Sequence, residues 1–338
     1  MNGFDQTWLG WLLVATWQGS VLVGVVLIVQ GLLGPRLPAR WRCALWWVVL
    51  ARLLLPVSLP SPLSLFNVGL LAPPAPMERF TAASDGEPAV WSWLFWVWVA
   101  GMALMAARIG QEHLKLRGAL IRRRLVTDSD VLDVLEDCKA LARVHTPLVV
   151  METTRVHSPA LFGFIRPRLL LPEGLLRSFS REDLRHVFVH ELSHLRRHDI
   201  ALGWLQALVL TVHWFNPVVW LALGRLRADR ELATDELALH HLQVQESRGY
   251  GETILKLLDD YSRPVPTPAL AGILEDRRQL AGRIRQIAGF GRVRRWTPIS
   301  VLVLLVLALV SLTDRSRPLE TGLDVSTEEG ERPEEMRP

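Results

Sequence analysis

The stretch that decides the fold is Phe179-Ser-Arg-Glu-Asp-Leu-Arg-His-Val-Phe-Val-His-Glu-Leu-Ser-His-Leu-Arg-Arg-His-Asp199. Ser180, followed three residues later by Asp183, is typical of a helix N-terminus. Apolar residues recur at helical spacing after it, so we predict a helix that carries the motif His-Glu-x-x-His in its middle. Residues four apart project from the same face of a helix, and His190 and His194 are therefore predicted to point at a common centre.

Two imidazoles at this spacing can share one tetrahedral zinc ion, with Glu191 beside the water that the ion holds. Zinc lowers the pKa of bound water toward about 7 and polarises a carbonyl, while the glutamate takes the proton. The pattern predicts a catalytic zinc site with Glu191 as general base. The alternative is a chance motif on an amphipathic helix, because the chain contains 10 His.

A catalytic zinc ion needs a third protein ligand and one open position. Residues 225–235 read as a second helix, on which Glu231 and Asp235 lie four residues apart. One of these acids would bind the ion and the other would orient a ligand, and spacing leaves both assignments open. A solvated, salt-bridged helix face is the alternative, since other charged residues, among them Asp229, lie between and beside them.

The composition favours a membrane protein, because 50% of the residues are hydrophobic and the mean hydropathy is +0.22. Four stretches are predicted to cross the bilayer, namely residues 9–33, 44–60, 90–107 and 297–313. Arg52, in the second stretch, is the one charge among them. The first stretch lacks the short apolar core and cleavage site of a signal peptide, so we expect a permanent anchor.

The distribution of positive charge predicts the orientation, since Lys and Arg are enriched in cytoplasmic loops. The loop 34–43 and the start of the segment 108–296 are rich in Arg, whereas the loop 61–89 and the tail 314–338 carry an excess of acid. We therefore expect residues 108–296, with the zinc motif, to be cytoplasmic. The loop 61–89 and both termini are then expected outside.

Residues 200–223 contain no Asp, Glu, Lys or Arg and could form a fifth span. A crossing there would put His194 and Glu231 on opposite sides of the membrane. Asn216-Pro217 favours a membrane-associated hairpin of two helices, because proline is well placed at the start of a helix. His213, beside the break, is expected to be a packed or interfacial histidine and not a ligand.

Three short β-like runs precede the motif helix, at residues 147–151, 155–158 and 168–171. A free strand edge near a zinc cleft can pair with an extended substrate backbone. A small structural sheet is the alternative, and the sequence leaves both open.

Four motifs in this order resemble the BlaR/MecR family of membrane zinc peptidases. They are Ser158-Pro-Ala-Leu-Phe-Gly-Phe-Ile-Arg-Pro-Arg-Leu-Leu-Leu-Pro172, His190-Glu-Leu-Ser-His-Leu-Arg-Arg-His-Asp199, Trp214-Phe-Asn-Pro-Val-Val-Trp220 and Asp229-Arg-Glu-Leu-Ala-Thr-Asp235. The resemblance implies an α-helical membrane protein of the bacterial plasma membrane, with four transmembrane helices and a mostly helical α+β, gluzincin-like zinc peptidase domain.

The resemblance also implies roles for residues. It implies one Zn²⁺ held by three ligands, which are His190, His194 and Glu231. Glu191 would be the general base, and Asp235 and Asp199 would orient the ligands. Thr234 stands where the family pattern has a cysteine, a small change that we do not expect to affect zinc binding.

In that family an extracellular β-lactam sensor activates the peptidase, which leads to loss of a cytoplasmic winged-helix repressor and often to self-cleavage. The resemblance therefore implies a zinc endopeptidase in signal transduction that cuts such a repressor, itself, or both. The expected partners are this cytoplasmic protein substrate and the lipid bilayer, without direct nucleic-acid contact, and a homodimer is left open. Only 25 residues, 314–338, follow the fourth span without a Ser-x-x-Lys motif, so no penicillin-binding sensor domain is expected. Position alone places self-cleavage within residues 287–295.

Two other functions compete with this one. A non-proteolytic, zinc-stabilised transmembrane signalling protein would need no general base and would close the fourth zinc position with a protein ligand. Glu191 therefore favours the enzyme. A general membrane quality-control metalloprotease would use the same site on broad, unfolded substrates.

Overall fold

The computed structural model of the chain describes residues 2–33, 37–55, 59–68, 71–72, 88–120, 125–261, 277–290 and 297–315. The helices are α1 (Asn2–Leu33), α2 (Ala39–Leu54), α3 (Pro88–Leu120), α4 (Ser129–Ala142), α5 (Leu175–Ser178), α6 (Arg181–Arg196), α7 (Asp199–Val212), α8 (Pro217–Leu242), α9 (Ser247–Tyr261), α10 (Arg277–Ala288) and α11 (Thr297–Ser311). The strands are β1 (Leu59–Ser61), β2 (Val149–Thr153), β3 (Ala160–Phe162), β4 (Arg168–Pro172) and β5 (Thr313–Arg315). The fold is mostly helical with a small sheet, as predicted.

Two of these helices are long and apolar enough to cross a membrane by length and composition. They are Trp8–Leu33 within α1 and Ser92–Leu120 within α3. Two shorter apolar helices, Asp199–Val212 and Pro298–Ser311, coincide with α7 and most of α11.

The second predicted span, residues 44–60, is shifted in the structure. Its helix begins earlier, at Ala39, and ends at Leu54, after which Leu55 is extended and β1 follows. The physical reason is Pro56, since the residue before a proline is disfavoured in the helical conformation. The third predicted span, 90–107, is part of a longer helix, because the charged sequence that follows it also favours helix.

An apolar core joins α1, α2 and α11 to α7 and α8. It contains Val26 of α1, Trp46 of α2, Val209 of α7, Leu226 of α8 and Leu307 of α11. In this core helices α7 and α8 therefore pack against three of the four predicted spans, and they also contact α6.

The predicted break between two apolar helices is present. Helix α7 ends at Val212, and α8 begins with Pro217 at its first position. The Asn216 side chain caps α8, since its Oδ1 accepts a hydrogen bond from the Val218 amide at 2.9 Å. Residues 217–223 and the predicted second helix, 225–235, form one continuous helix, so the break positions everything that α8 carries.

His213 is a packed histidine, as expected. It is fully buried between α7 and α8, with Nε2 3.0 Å from the carbonyl oxygen of Leu53 and Nδ1 3.2 Å from Oγ1 of Thr16. The carbonyl can only accept, so Nε2 donates to it and Nδ1 accepts from the threonine. Both ring nitrogens are thus occupied by hydrogen bonds.

The sheet beside the motif helix has the order β2-β4-β3. Strands β2 and β4 are parallel, with Met151 opposite Leu170, and β3 is antiparallel to β4, with Ala160 opposite Leu170. The predicted strand at 155–158 was wrong: these residues are outside the sheet, and β3 forms from the apolar residues that follow. Within the described residues no strand pairs with the outer edge of β3, which packs against α6.

A second core surrounds α6 and holds it in place. Leu184, Phe188 and Leu192 of α6 are buried in it together with residues of α4, α9 and the sheet, such as Leu135 and Ile254. The motif helix is therefore supported along its apolar face, while its histidines face α8.

The N-terminus of α6 has the predicted capping box. The Asp183 amide donates to Oγ of Ser180 and the Ser180 amide donates to Oδ2 of Asp183, each at 3.1 Å. Lys256 of α9 donates to the same Asp183 oxygen at 2.8 Å, which links the cap to the next helix. The start of the motif helix is thus fixed by side chains and not left to fray.

Replacement of Ser180 by alanine removes one half of this cap. We expect a loss of about 1 kcal/mol, or a fall of about 2–4 °C in the apparent melting temperature of a domain of this size. Thermal unfolding of the purified protein in detergent, followed by near-ultraviolet circular dichroism, measures it. Arg181→Ala, an exposed change in the same turn, is the control, and equal melting of the two variants would contradict the capping role.

Candidate metal centre

Helices α6 and α8 bring together the three residues that the sequence proposes as zinc ligands. His190, His194 and Glu231 each offer one ligand atom, and these atoms all lie within 4.8 Å of one another. Glu231 Oε2 is 3.7 Å from Nε2 of His190 and 3.6 Å from Nε2 of His194. Bonds of about 2.0–2.2 Å at tetrahedral angles would place ligand atoms about 3.3–3.6 Å apart. The two distances from Glu231 to the histidines are therefore close to those expected around a zinc ion.

Asp235, the other acid on α8, has a different place. It is completely buried, and its Oδ1 lies 3.2 Å from Nδ1 of His190, on the ring nitrogen opposite the one that faces Glu231. The geometry groups Glu231 with the two Nε2 atoms and puts Asp235 behind one ring. The packing of α8 against α6 therefore favours Glu231 over Asp235 as the candidate third ligand.

His194 is held in the same way by an acid from another helix. Its Nδ1 is 2.7 Å from Oδ2 of Asp199, the first residue of α7. Thr234 supports the pair, with Oγ1 3.3 Å from the same ring nitrogen and 3.4 Å from the Asp199 oxygen. A proton on Nδ1 that is donated to a carboxylate leaves the Nε2 lone pair free for a metal ion. Asp199 is therefore placed to orient His194.

Behind His190 lie two residues that sequence reasoning missed, Tyr250 of α9 and Arg283 of α10. The Tyr250 hydroxyl is 2.7 Å from Nδ1 of His190 and donates to Oδ1 of Asp235, also at 2.7 Å. Arg283 binds both oxygens of Asp235, through Nε at 2.8 Å and Nη2 at 3.0 Å. A hydroxyl within an apolar helical pattern is a usable sequence signal for Tyr250. Arg283 offers no such signal, because it is 48 residues from Asp235.

Glu191 is buried beside this centre. Burial raises its pKa, and the two histidines oppose that effect only in part, so the net shift is upward. A carboxylate with a raised pKa is a better proton acceptor at neutral pH than an exposed one. Glu191 thus has the environment of a general base.

The electrostatic environment of the centre favours a bound positive charge. Burial lowers the pKa of His194, but Glu231 and Asp199 outweigh it and raise that pKa to about 10. For Glu231, burial raises the pKa, and His194 and His190 more than reverse this, so it stays ionised. Two imidazoles that attract protons between carboxylates are a donor set suited to a divalent cation of zinc's type.

The alternative of a solvated helix face was wrong for Asp235, one of the two candidate acids, and does not hold for Asp229 beside them. Asp229 is 2% exposed and accepts hydrogen bonds from Arg42, from Trp46 at 2.8 Å and from Gln30 at 3.0 Å. Asp235 has no exposed surface at all. These acids are paired within the fold, as buried charges must be.

The chain is similar to known proteins over most of its length. The family described as "BlaR1 peptidase M56" matches residues 11–287. The chain is 28% identical over 196 residues to the regulatory protein BlaR1 of Bacillus licheniformis, which covers 58% of this chain and 32% of that protein. It is 25% identical over 141 residues to the methicillin resistance mecR1 protein of Staphylococcus aureus, which covers 42% of this chain and 24% of that protein.

A protease HtpX homolog of Thermococcus sibiricus is 27% identical over 123 residues, which covers 32% of this chain and 41% of that protein. The chain thus spans about a quarter to two-fifths of the length of these curated relatives.

Removal of a ligand should empty the centre. We expect about one zinc per chain in the unchanged protein, and near-complete loss of zinc in His194→Ala and in Glu231→Ala, because each removes a donor atom. Elemental analysis of the purified protein by mass spectrometry measures this. His240→Ala, an exposed histidine on α8, should keep its zinc, and retention of zinc by Glu231→Ala would refute the assignment.

Proposed function

This chain belongs to the BlaR1 peptidase family M56, and from that membership we propose that it is a membrane-embedded zinc endopeptidase that acts in signal transduction. The observation that carries the proposal is the convergence of His190, His194 and Glu231 around one point, beside the buried Glu191. Three protein donors and an adjacent base make a catalytic arrangement, whereas a structural zinc site would have a fourth donor and no base.

The chemistry follows from what surrounds the ligands. Zn²⁺, when bound by them, would acidify a water molecule and polarise the scissile carbonyl. Glu191 would take the proton from the attacking water and return it to the departing amine nitrogen. Asp199 fixes the ring of His194 through the 2.7 Å contact to its Nδ1, so that imidazole need not reorganise during the reaction.

The edge of the sheet supplies a place for the substrate. The outer edge of β3 has no strand partner within the described residues, and β3 packs against the motif helix. An extended peptide could add there as a further strand and so present a peptide bond to the metal. This supports an endopeptidase that binds a chain segment, not a small molecule.

We propose that α1, α2, α3 and α11 cross the bilayer, with residues 108–296 in the cytoplasm. Contacts between helix ends support this topology. The start of α1 and the ends of α2 and α11, which are all expected outside, lie close together. Trp11 of α1 donates to the carbonyl of Leu55, after α2, at 3.4 Å. Strand β1, which follows α2, pairs in parallel with β5, which follows α11.

The α7–α8 hairpin is proposed to enter the bilayer between these helices without crossing it. Asn216 at its tip donates to Oγ of Ser20 at 3.1 Å, and Asp229, further along α8, accepts from Gln30. Ser20 and Gln30 both belong to α1, within Trp8–Leu33, and are about 15 Å apart at 1.5 Å per residue. The first part of α8 thus runs beside an apolar, membrane-type helix.

These contacts also suggest how a signal would reach the metal. Asp229 lies two residues before Glu231 on α8 and is held by residues of α1 and α2, including Arg42 and Trp46. A shift of α1 or α2 would move this part of α8 and with it a zinc ligand. Rigid elements with fixed contacts are the physical route by which coupling travels.

The substrate we propose is a cytoplasmic transcriptional repressor of the winged-helix type, the chain itself, or both. The support is the likeness to a protein named regulatory and to one named for methicillin resistance. A second candidate, general proteolysis of unfolded chains, is favoured by the likeness to a protease HtpX homolog. Incubation of the purified protein with the product of a neighbouring repressor gene and, separately, with β-casein distinguishes the two.

Replacement of Glu191 by glutamine should remove the base and leave the metal. We expect cleavage to fall by a factor of about 10² to 10⁴, the usual contribution of a general base, with unchanged zinc content. Electrophoresis and mass spectrometry of β-casein and of the intact chain measure cleavage. Glu182→Gln, on an exposed position of the same helix, is the control. Cleavage that survives in Glu191→Gln would disprove the mechanism.

The proposed topology predicts which side each loop faces. A cysteine at Ser84, in the acidic loop, should react with a membrane-impermeant maleimide on intact spheroplasts. A cysteine at Asp133, an exposed position of α4, should react only after the membrane is opened. The two native cysteines, Cys43 and Cys138, are buried and give a low background. The reverse labelling pattern would contradict the proposed topology and support the inverted one.

A further inference from the structure

We infer that Arg283 is a positioning residue for the metal centre, which acts on His190 through Asp235 and Tyr250 and makes α10 a component of the site. The inference deepens the proposed function and rests on it for its catalytic meaning. Its structural basis is a buried, fully connected set of hydrogen bonds that runs from α10 to the metal-facing imidazole.

The set begins with a carboxylate that needs a partner. Asp235 has no exposed surface, and the desolvation of an unpaired buried carboxylate costs several kcal/mol. Arg283, itself only 8% exposed, meets both of its oxygens at 2.8 and 3.0 Å. This two-point contact fixes the plane of the carboxylate as well as its charge.

The protons of the set have one consistent arrangement. Arginine can only donate, so both Asp235 oxygens accept from Arg283. The Tyr250 hydroxyl donates to Oδ1 of Asp235, which leaves its own oxygen free to accept from Nδ1 of His190, at 2.7 Å. A proton held on Nδ1 leaves Nε2 unprotonated and directed toward Glu231. The arrangement thus selects the ring form that can bind a metal ion.

Helix α10 contacts α8 and the core around α6 at further points. Gln286 donates to the carbonyl of Leu232, on α8, at 2.7 Å, and Ile287 is buried in the core around α6. Arg283 lies four residues before Ile287, which places it one turn earlier on the same face of α10. The packing of α10 therefore holds the Arg283 guanidinium in a fixed position behind His190.

The assignment predicts a specific ranking of variants. Arg283→Gln leaves Asp235 without its charge partner, and Arg283→Lys keeps a charge but cannot reproduce the planar two-point contact. Arg285→Gln changes an exposed arginine of the same helix and is the matched control. Orienting partners of metal ligands are typically worth 10–100-fold in metal affinity, so we expect a loss of that size in Arg283→Gln, a smaller loss in Arg283→Lys and none in Arg285→Gln.

The experiment uses the full-length protein in detergent, loaded with Co²⁺ as a spectroscopic substitute for zinc. We expect the visible ligand-field bands of Arg283→Gln to differ from those of the unchanged protein, and those of Arg285→Gln to coincide with them. Zinc affinity is measured by competition with a chromophoric chelator. If Arg283→Gln does not fold, Arg283→Lys carries the test with the same two readouts.

A lowered melting temperature together with unchanged cobalt bands and unchanged zinc affinity would overturn the inference, because Arg283 would then only hold α10 in place. Neither readout needs turnover. They can therefore be repeated in Glu191→Gln, so that failure of the peptidase proposal and failure of this inference give different results.

Discussion

The approach of α8 to α6 is the contact on which the rest of this structure depends. Two imidazoles on one helix supply only half of a tetrahedral coordination sphere, so a second element must bring a carboxylate to within about 3.5 Å of both. Glu231 reaches that position because α8 packs along α6. The same packing puts the other acid, Asp235, behind His190. One interface thus places both the candidate ligand Glu231 and the acid behind His190.

Such an interface gathers several carboxylates in a volume with little water, and each must be compensated. Asp235 is compensated by Arg283 and Asp229 by Arg42, while Asp199 and Glu231 face the histidines. Because removal of one partner of a buried pair is strongly destabilising, these pairs constrain where α2, α7, α8 and α10 can lie. The ion pairs around the candidate metal centre therefore constrain the surrounding fold together with the apolar cores.

Local features of this chain were predictable and non-local ones were not. The capping box at Ser180, the helix break at Asn216-Pro217 and the common face of His190 and His194 each depend on residues within one or two turns, where spacing determines geometry. Sequence resemblance supplied Glu231, which spacing could not separate from Asp235. The ion pairs of Arg283 and Arg42 were not predicted, since their partners are distant in sequence and an arginine on a helix is usually solvated. The strand at 160–162 was misplaced by a few residues because short strands depend on their neighbours more than on their own pattern.

The most consequential of these non-local contacts join the metal site to the apolar helices. Asp199, the first residue of α7, contacts Nδ1 of His194, and Glu231 lies on α8, so both helices of the hairpin carry a residue to the candidate metal centre. The tip of that hairpin is fixed by polar contacts to Thr16, Ser20 and Leu53. Polar contacts that are buried away from water are costly to break, because no water replaces the lost partner. A displacement of α1 or α2 would therefore carry the tip with it more readily than it would leave the tip behind, and the hairpin would pass that displacement to two of the groups that define the coordination geometry. The candidate metal centre thus lies between two helices whose connecting turn is bound to α1 and to the end of α2, which ties its geometry physically to these apolar helices.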